Sequence, residues 1–224
     1  MRLLETISSI SRFIMLIAAA IAIVEGIKAF KNLGFLKLIL ILCILSFLDT
    51  LSFSIFHELG KRNDIFINTA VFTQNVFIIT ELVSIIIFYS NTSLKPKMSI
   101  SIFLISTITI AVIMFLKMTN PYRIISIELP ILIFEVIFVN FFSGLFFLKN
   151  IEYNKSEFPK EFQIINKGFF IFINLTAPYY LISSLIVNNL SPLILALNFI
   201  NDISYSILFY QFIKAFRCLQ VKKN

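Results

Sequence analysis

Long apolar runs, broken by short clusters of charge, Asn, Gly and Pro, recur along the whole chain. Seven runs follow from that pattern: 7–27, 35–56, 65–89, 98–116, 126–148, 167–187 and 192–214. A helix needs about 20 mostly apolar residues to cross the hydrocarbon of a bilayer, so each run predicts a spanning helix. The breaks carry turn and charge signals. Lys28, Lys31, Asn32 and Gly34 end the first run, and His57 to Asp64 end the second. Asn91 to Lys97 end the third, and Lys117, Asn120, Pro121 and Arg123 the fourth. The stretch from Lys149 to Lys167 is the longest loop, and Asn188, Asn189, Ser191 and Pro192 part the last two runs.

The first run is uncharged only from Phe13 to Val24, between Arg12 and Glu25. Its Ala18-Ala19-Ala20 also fits a signal-peptide cleavage pattern, but Glu5 sits where a basic leader belongs. A retained helix is therefore expected, with Arg12 and Glu25 reaching opposite interfaces. Ala18, Ala19, Ala22 and Gly26 would let it approach a neighbour closely. The expected fold is all-α: a polytopic membrane protein, a single bundle of seven transmembrane helices forming one domain over 1–224. No soluble domain is expected beyond the last helix.

Composition supports lipid as the solvent. The chain is 58% hydrophobic and 14% charged, with a mean hydropathy of +0.93, whereas soluble domains have about 25% charged residues. Its basic balance lies in loops and sets orientation rather than marking a nucleic-acid surface. Of 19 Lys and Arg, only Arg2, Arg12, Lys61, Arg62, Lys117 and Arg123 fall on one side. The other side is the expected cytoplasmic one, with the N-terminus outside and the C-terminus cytoplasmic, in a bacterial inner (cytoplasmic) membrane. Cys43 lies within a run and Cys218 near the basic tail, so no disulfide framework is expected. One His and two distant Cys exclude a zinc site, and no cofactor is expected. A retinal protein is excluded because no Lys sits mid-way along the last run.

Candidate chemistry rests on four carboxylates inside the runs: Asp49, Glu81, Glu135 and Asp202. No Lys or Arg is expected at their depth, and an ionisable group in the membrane is by default a functional suspect. At the rise of an α-helix, Asp49, Glu135 and Asp202 fall about 12 to 16 Å from the outer helix ends, level with Gln74 and Asn75. Tyr179 and Tyr180, just past Pro178, fall in the same slab, whereas Glu81 is deeper, one heptad below Gln74. Asn198, Asn201, Asp202 and Tyr205 follow i, i+3, i+4, i+7 spacing and form a polar stripe that cannot face lipid cheaply. Buried acids without a cation have three options. They stay protonated and act as interhelical glue, share protons with each other, or bind a proton, sodium ion or cationic ligand.

Three stretches carry a family resemblance: Asn75 to Glu81 with Tyr89, Phe169 to Tyr180, and Asn198 to Tyr205 through Phe216-Arg217-Cys218. With the whole-chain layout, they resemble a large group of small, uncharacterised seven-helix membrane proteins of the Bacteroidota. The chain departs from that group where Asn166 is followed by Lys167 instead of Pro. The resemblance implies a fold and a membrane location, and no activity.

The expected function is small-molecule binding or sensing in a pocket open to the outside. Asp49, Glu135 and Asp202 would supply negative charge, Gln74 and Asn198 would orient the ligand, and Tyr179 and Tyr205 would stack on it, with Asn75, Glu81 and Asn201 as further polar lining. The expected partners are the lipid bilayer, a small molecule or cation, and a signalling protein on the basic cytoplasmic side. The alternatives are a small proton- or cation-coupled transporter and, last, a lipid-active enzyme using a carboxylate pair.

Overall fold

The structure is a computed structural model that describes the backbone of residues 2–59, 64–92, 101, 125–152, 158–183 and 192–221. Side chains are described over 6–52, 77–92, 101, 133–148, 158–179, 182, 193 and 195–221. Among the described residues the fold is all-α, with six helices and no strand. They are α1 (Arg2–Lys28), α2 (Lys37–Leu59), α3 (Asp64–Thr92), α4 (Ile125–Glu152), α5 (Lys160–Ser183) and α6 (Pro192–Val221). The predicted run 98–116 lies outside the described residues, save Ser101. By length and composition, two described stretches are able to cross a membrane, Thr6–Lys28 and Gly34–Ser52, while Phe77–Thr92 and Ile133–Leu148 are shorter apolar stretches.

Local chemistry explains where the helices stop. Between α1 and α2 the chain makes two short 3-10 turns, Phe30–Asn32 and Gly34–Leu36, joined through Gly34 at φ 52, a conformation that favours glycine. α5 begins at Lys160, not at 167. The Pro159 carbonyl receives the Phe162 and Gln163 amides at 2.9 and 3.3 Å, and Glu161 supplies an acid to the first turn, as a helix start favours. α6 runs on to Val221, past the predicted end at 214, because Lys214 and Arg217 project outward and charge on an exposed face does not end a helix.

The helices form a ring in chain order. Each described helix packs on its sequence neighbour, and α6 returns to pack on α1. The α5–α6 and α1–α6 contacts are the most extensive, and the α3–α4 contact is the lightest of the ring. α1 and α6 run parallel, since Ser11 meets Asp202 near one end and Glu25 meets Gln220 near the other. α3 and α4 are also parallel: Glu81 lies within electrostatic reach of Glu135, and Tyr89 further along packs on Phe138 and Phe142 at 5.9 and 5.8 Å.

Two glycines let helices approach. A Cβ on Gly26 of α1 would stand 2.6 Å from Leu40 Cδ1 and 3.1 Å from Phe216 Cε2. A Cβ on Gly168 of α5 would stand 3.0 Å from Gln211 Cβ. Ala19 and Ala22 continue the small, fully buried face of α1, as its sequence predicts. The centre of the ring is aromatic: Phe88, Phe169, Phe172, Phe209, Phe212 and Phe216 are all buried.

Apolar side chains cover the outside of the bundle as well as its core, and several polar groups lie inside. On α1 the outward face carries Ile10, Phe13, Ile14, Ile17, Ile21 and Val24, whereas Ser8, Ser11 and Glu25 are buried. On α4, Ile133, Ile137 and Phe141 face outward while Glu135 and Ser143 face inward. A soluble amphipathic helix shows the reverse arrangement.

Candidate functional site

Glu81 of α3 is the hub of the interior polar groups. It is buried, accepts a hydrogen bond from the Tyr205 hydroxyl of α6, and lies within electrostatic reach of Asp49 of α2. Glu135 of α4, also buried, feels the charge of Glu81. One oxygen of each, Glu81 Oε1 and Glu135 Oε1, finds no hydrogen-bond partner among the described residues. The Tyr205 ring that carries this hydroxyl is packed by Phe172 at 4.6 Å and Phe77 at 6.0 Å. Three helices thus bring acids together, and a fourth supplies the hydroxyl. Chemically, acids so placed can share protons, hold hydrogen bonds to neighbouring hydroxyls or, when ionised, attract a positive charge. Among the described residues no three His, Cys, Asp or Glu side chains converge closely enough to hold a metal ion.

Asp202 does not join this group. It is buried against α1, where the Ser11 hydroxyl donates to Asp202 Oδ2 at 2.7 Å and the Arg12 guanidinium lies within electrostatic reach. The sequence expects Asp202 to line one pocket with Asp49 and Glu135, away from any Lys or Arg; in the structure it turns to α1 instead, within electrostatic reach of Arg12. The i, i+3, i+4, i+7 stripe of α6 has two destinations: Tyr205 points to α3 and α5, and Asp202 to α1.

The remaining predicted residues are spread out. Asn201 is half-buried, with Oδ1 lacking a partner among the described residues. Asn198 and Tyr179 are half-buried. Gln74 and Asn75 belong to α3, and their side chains lie outside the described residues, as does that of Tyr180.

Two polar clusters escaped the sequence reading. Between α3 and α5, the Tyr89 hydroxyl donates to Asn166 Oδ1 at 2.8 Å, with Ser143 of α4 beside it. Asn166 was placed in a loop because the sixth run was begun at 167; the Pro159-x-Glu161 start signal would have put it two turns inside a helix. At the other end of the α1–α6 pair, Glu25 takes Lys28 Nζ at 3.0 Å and Gln220 Nε2 at 3.0 Å, and Arg217 stands 3.7 Å away. Asn32 Nδ2 donates to the Leu219 carbonyl at 3.1 Å. Instead of merely reaching an interface, Glu25 ties the first helix to the last. A reciprocal amide pair, Asn140 with Asn174, joins α4 to α5 at 3.1 and 3.4 Å.

No protein-family model, curated protein or solved structure matches the chain.

Proposed function

We propose that this chain is an integral membrane protein of the bacterial cytoplasmic membrane, a bundle of seven transmembrane helices that binds a small cationic molecule or ion at an acidic site centred on Glu81. The apolar outer faces of α1 and α4 support the membrane reading: β-branched and aromatic side chains cover the outside, while Glu25, Glu135 and several hydroxyls lie within. In water, so much exposed apolar surface is an aggregation liability; in lipid it is the required surface.

The parallel run of α3 and α4 supports the count of seven. Two parallel neighbours need a connection that returns along the bundle, and the apolar run 98–116 lies between them in the chain. The cluster of Lys28, Lys31, Lys37, Lys160, Lys167, Lys214 and Arg217 at one end supports placing that end in the cytoplasm. The resemblance to the Bacteroidota group agrees with this placement and adds no activity.

The observation that carries the ligand reading is the Glu81–Glu135 pair. Two buried acids on neighbouring helices feel each other, and each keeps an oxygen unpartnered among the described residues. Two such acids do not ionise together unless a proton or another cation offsets their charge. A binding protein of this kind would signal through a partner on its basic cytoplasmic face. Titration calorimetry of the purified protein with sodium chloride and with tetramethylammonium chloride tests the reading. Saturable binding of either cation is expected, lost in Glu81→Gln and Glu135→Gln while circular dichroism is unchanged. Absence of binding to the wild-type protein refutes it.

The same pair favours a second reading, a proton- or cation-coupled transporter, because coupled carboxylates on separate helices are suited to exchanging a proton for another cation. Reconstituted vesicles distinguish the two: a cation gradient shifts internal pH for a transporter and leaves it unchanged for a receptor.

A further inference from the structure

The outward strip of α6 changes character along its length. Ile203, Tyr210, Lys214 and Arg217 recur at helical spacing on one exposed face, running from apolar through aromatic to basic. Lys214 Nζ sits 4.5 Å from the centre of the Tyr210 ring. Across the seam with α1, Lys28 and Arg217 both approach the same oxygen, Glu25 Oε1, at 3.0 and 3.7 Å. That carboxylate is held from beneath by Gln220 and is nearly buried, while the Lys28 and Arg217 side chains are 57% and 61% exposed.

The arrangement keeps two cations side by side with their outer faces free. Three positive charges stand against one carboxylate, so the patch keeps a positive surplus. On the membrane reading proposed above, this face meets lipid, with the apolar stretch at acyl-chain depth and the cations at headgroup depth. We infer that the α1–α6 seam is a binding site for an anionic phospholipid, whose phosphodiester sits against Lys28, Lys214 and Arg217 and whose acyl chain lies along Tyr210 and Ile203. The preorganisation by Glu25 distinguishes this seam from scattered surface lysines: an ordered cation pair loses less conformational freedom on meeting phosphate. Zwitterionic lipid gains less there, because its own ammonium opposes the surplus charge. A juxtamembrane cation near an anionic surface is worth about 1 kcal/mol, or about fivefold in affinity.

Native mass spectrometry of the protein in neutral detergent tests the site, with phosphatidylglycerol, phosphatidylcholine or inorganic phosphate added separately. The expected result is retention of phosphatidylglycerol several-fold above phosphatidylcholine, and no saturation by phosphate alone. Lys214→Gln, an exposed change that leaves the Glu25 contacts intact, should lower phosphatidylglycerol retention about fivefold, and the triple variant Lys28→Gln, Lys214→Gln, Arg217→Gln should abolish the preference. Equal retention of the two lipids, saturation by phosphate alone, or full retention by the triple variant overturns the proposal. Recovery of the untreated protein in the soluble cell fraction would instead overturn the membrane reading, a separate outcome.

Discussion

Ser11 of α1 donates a hydrogen bond of 2.7 Å to Asp202 of α6, tying the first described helix to the last. Interhelical hydrogen bonds in membranes are worth about 0.6 to 2 kcal/mol. Ser11→Ala should therefore destabilise the protein by about 1 kcal/mol. Asp202→Asn keeps an acceptor for the hydroxyl and should cost less than Asp202→Leu, which leaves Ser11 unpaired with its neighbour. Thermal unfolding in detergent ranks the three.

Gly26 and Gly144 make an internal comparison. A methyl at Gly26 would run into Leu40 and Phe216, whereas a Cβ at Gly144 meets nothing within 4 Å among the described residues. Gly26→Ala should cost about 1 to 3 kcal/mol through forced separation of α1 from α2 and α6. Gly144→Ala should be neutral or stabilising by up to about 1 kcal/mol, since alanine favours a helix. If both melt alike, the close approach at Gly26 is wrong.

Tyr205→Phe removes the hydroxyl given to Glu81 and leaves the ring against Phe172 and Phe77. The variant should fold and bind the cation probes with an affinity changed by about tenfold or less, the scale of one hydrogen bond. Asp202→Asn should leave that affinity unaltered. Calorimetry on both variants separates the Glu81 site from the α1–α6 contact.

Ile137 of α4 is 65% exposed. On a water-facing surface, Ile137→Lys would change stability by no more than about 0.5 kcal/mol. Facing lipid near mid-membrane, lysine costs about 2.5 to 3.5 kcal/mol of insertion free energy. A membrane-insertion assay of the variant should show the larger penalty, and full insertion at wild-type level would count against a lipid-facing α4.

The Asn140–Asn174 pair should behave as a unit. Each single change to leucine loses the same amide–amide contact, so a double-mutant cycle should return a coupling of about 0.5 to 2 kcal/mol. Strict additivity in thermal unfolding would mean that the two amides contribute separately.

Helix existence is readable from the spacing of polar interruptions: the first three runs and 126–148 reappear with ends moved by five residues or fewer, while α6 runs seven residues past its expected end. α5 shows the limit. Its first turns are rich in Lys, Glu, Gln and Asn, so hydropathy assigned them to a loop, although a proline and an acid mark the start. Which polar residues meet was less legible. Periodicity places Asn198, Asn201, Asp202 and Tyr205 on one side of a helix, but that side is wide enough to touch two neighbours. Asp202 and Tyr205 are three residues apart, and the turn between them sends one to α1 and the other to α3 and α5. Nor does sequence depth reveal that Arg12, assigned to an interface, comes within range of Asp202. Long side chains erase differences in level that a count of rise per residue sets between their Cα atoms.

The pairing of α1 with α6 has a consequence for biogenesis. Ser11 and Glu25 of α1, the first described helix, are made 191 to 195 residues before their partners Asp202, Arg217 and Gln220 of α6. Until then α1 carries a face of small side chains without its α6 partner, and Glu25 has only Lys28 of its own helix to pair with. Closure of the ring is thus a late, long-range step, and variants that loosen the α1–α6 seam should be caught by quality-control proteases during synthesis rather than by unfolding afterwards.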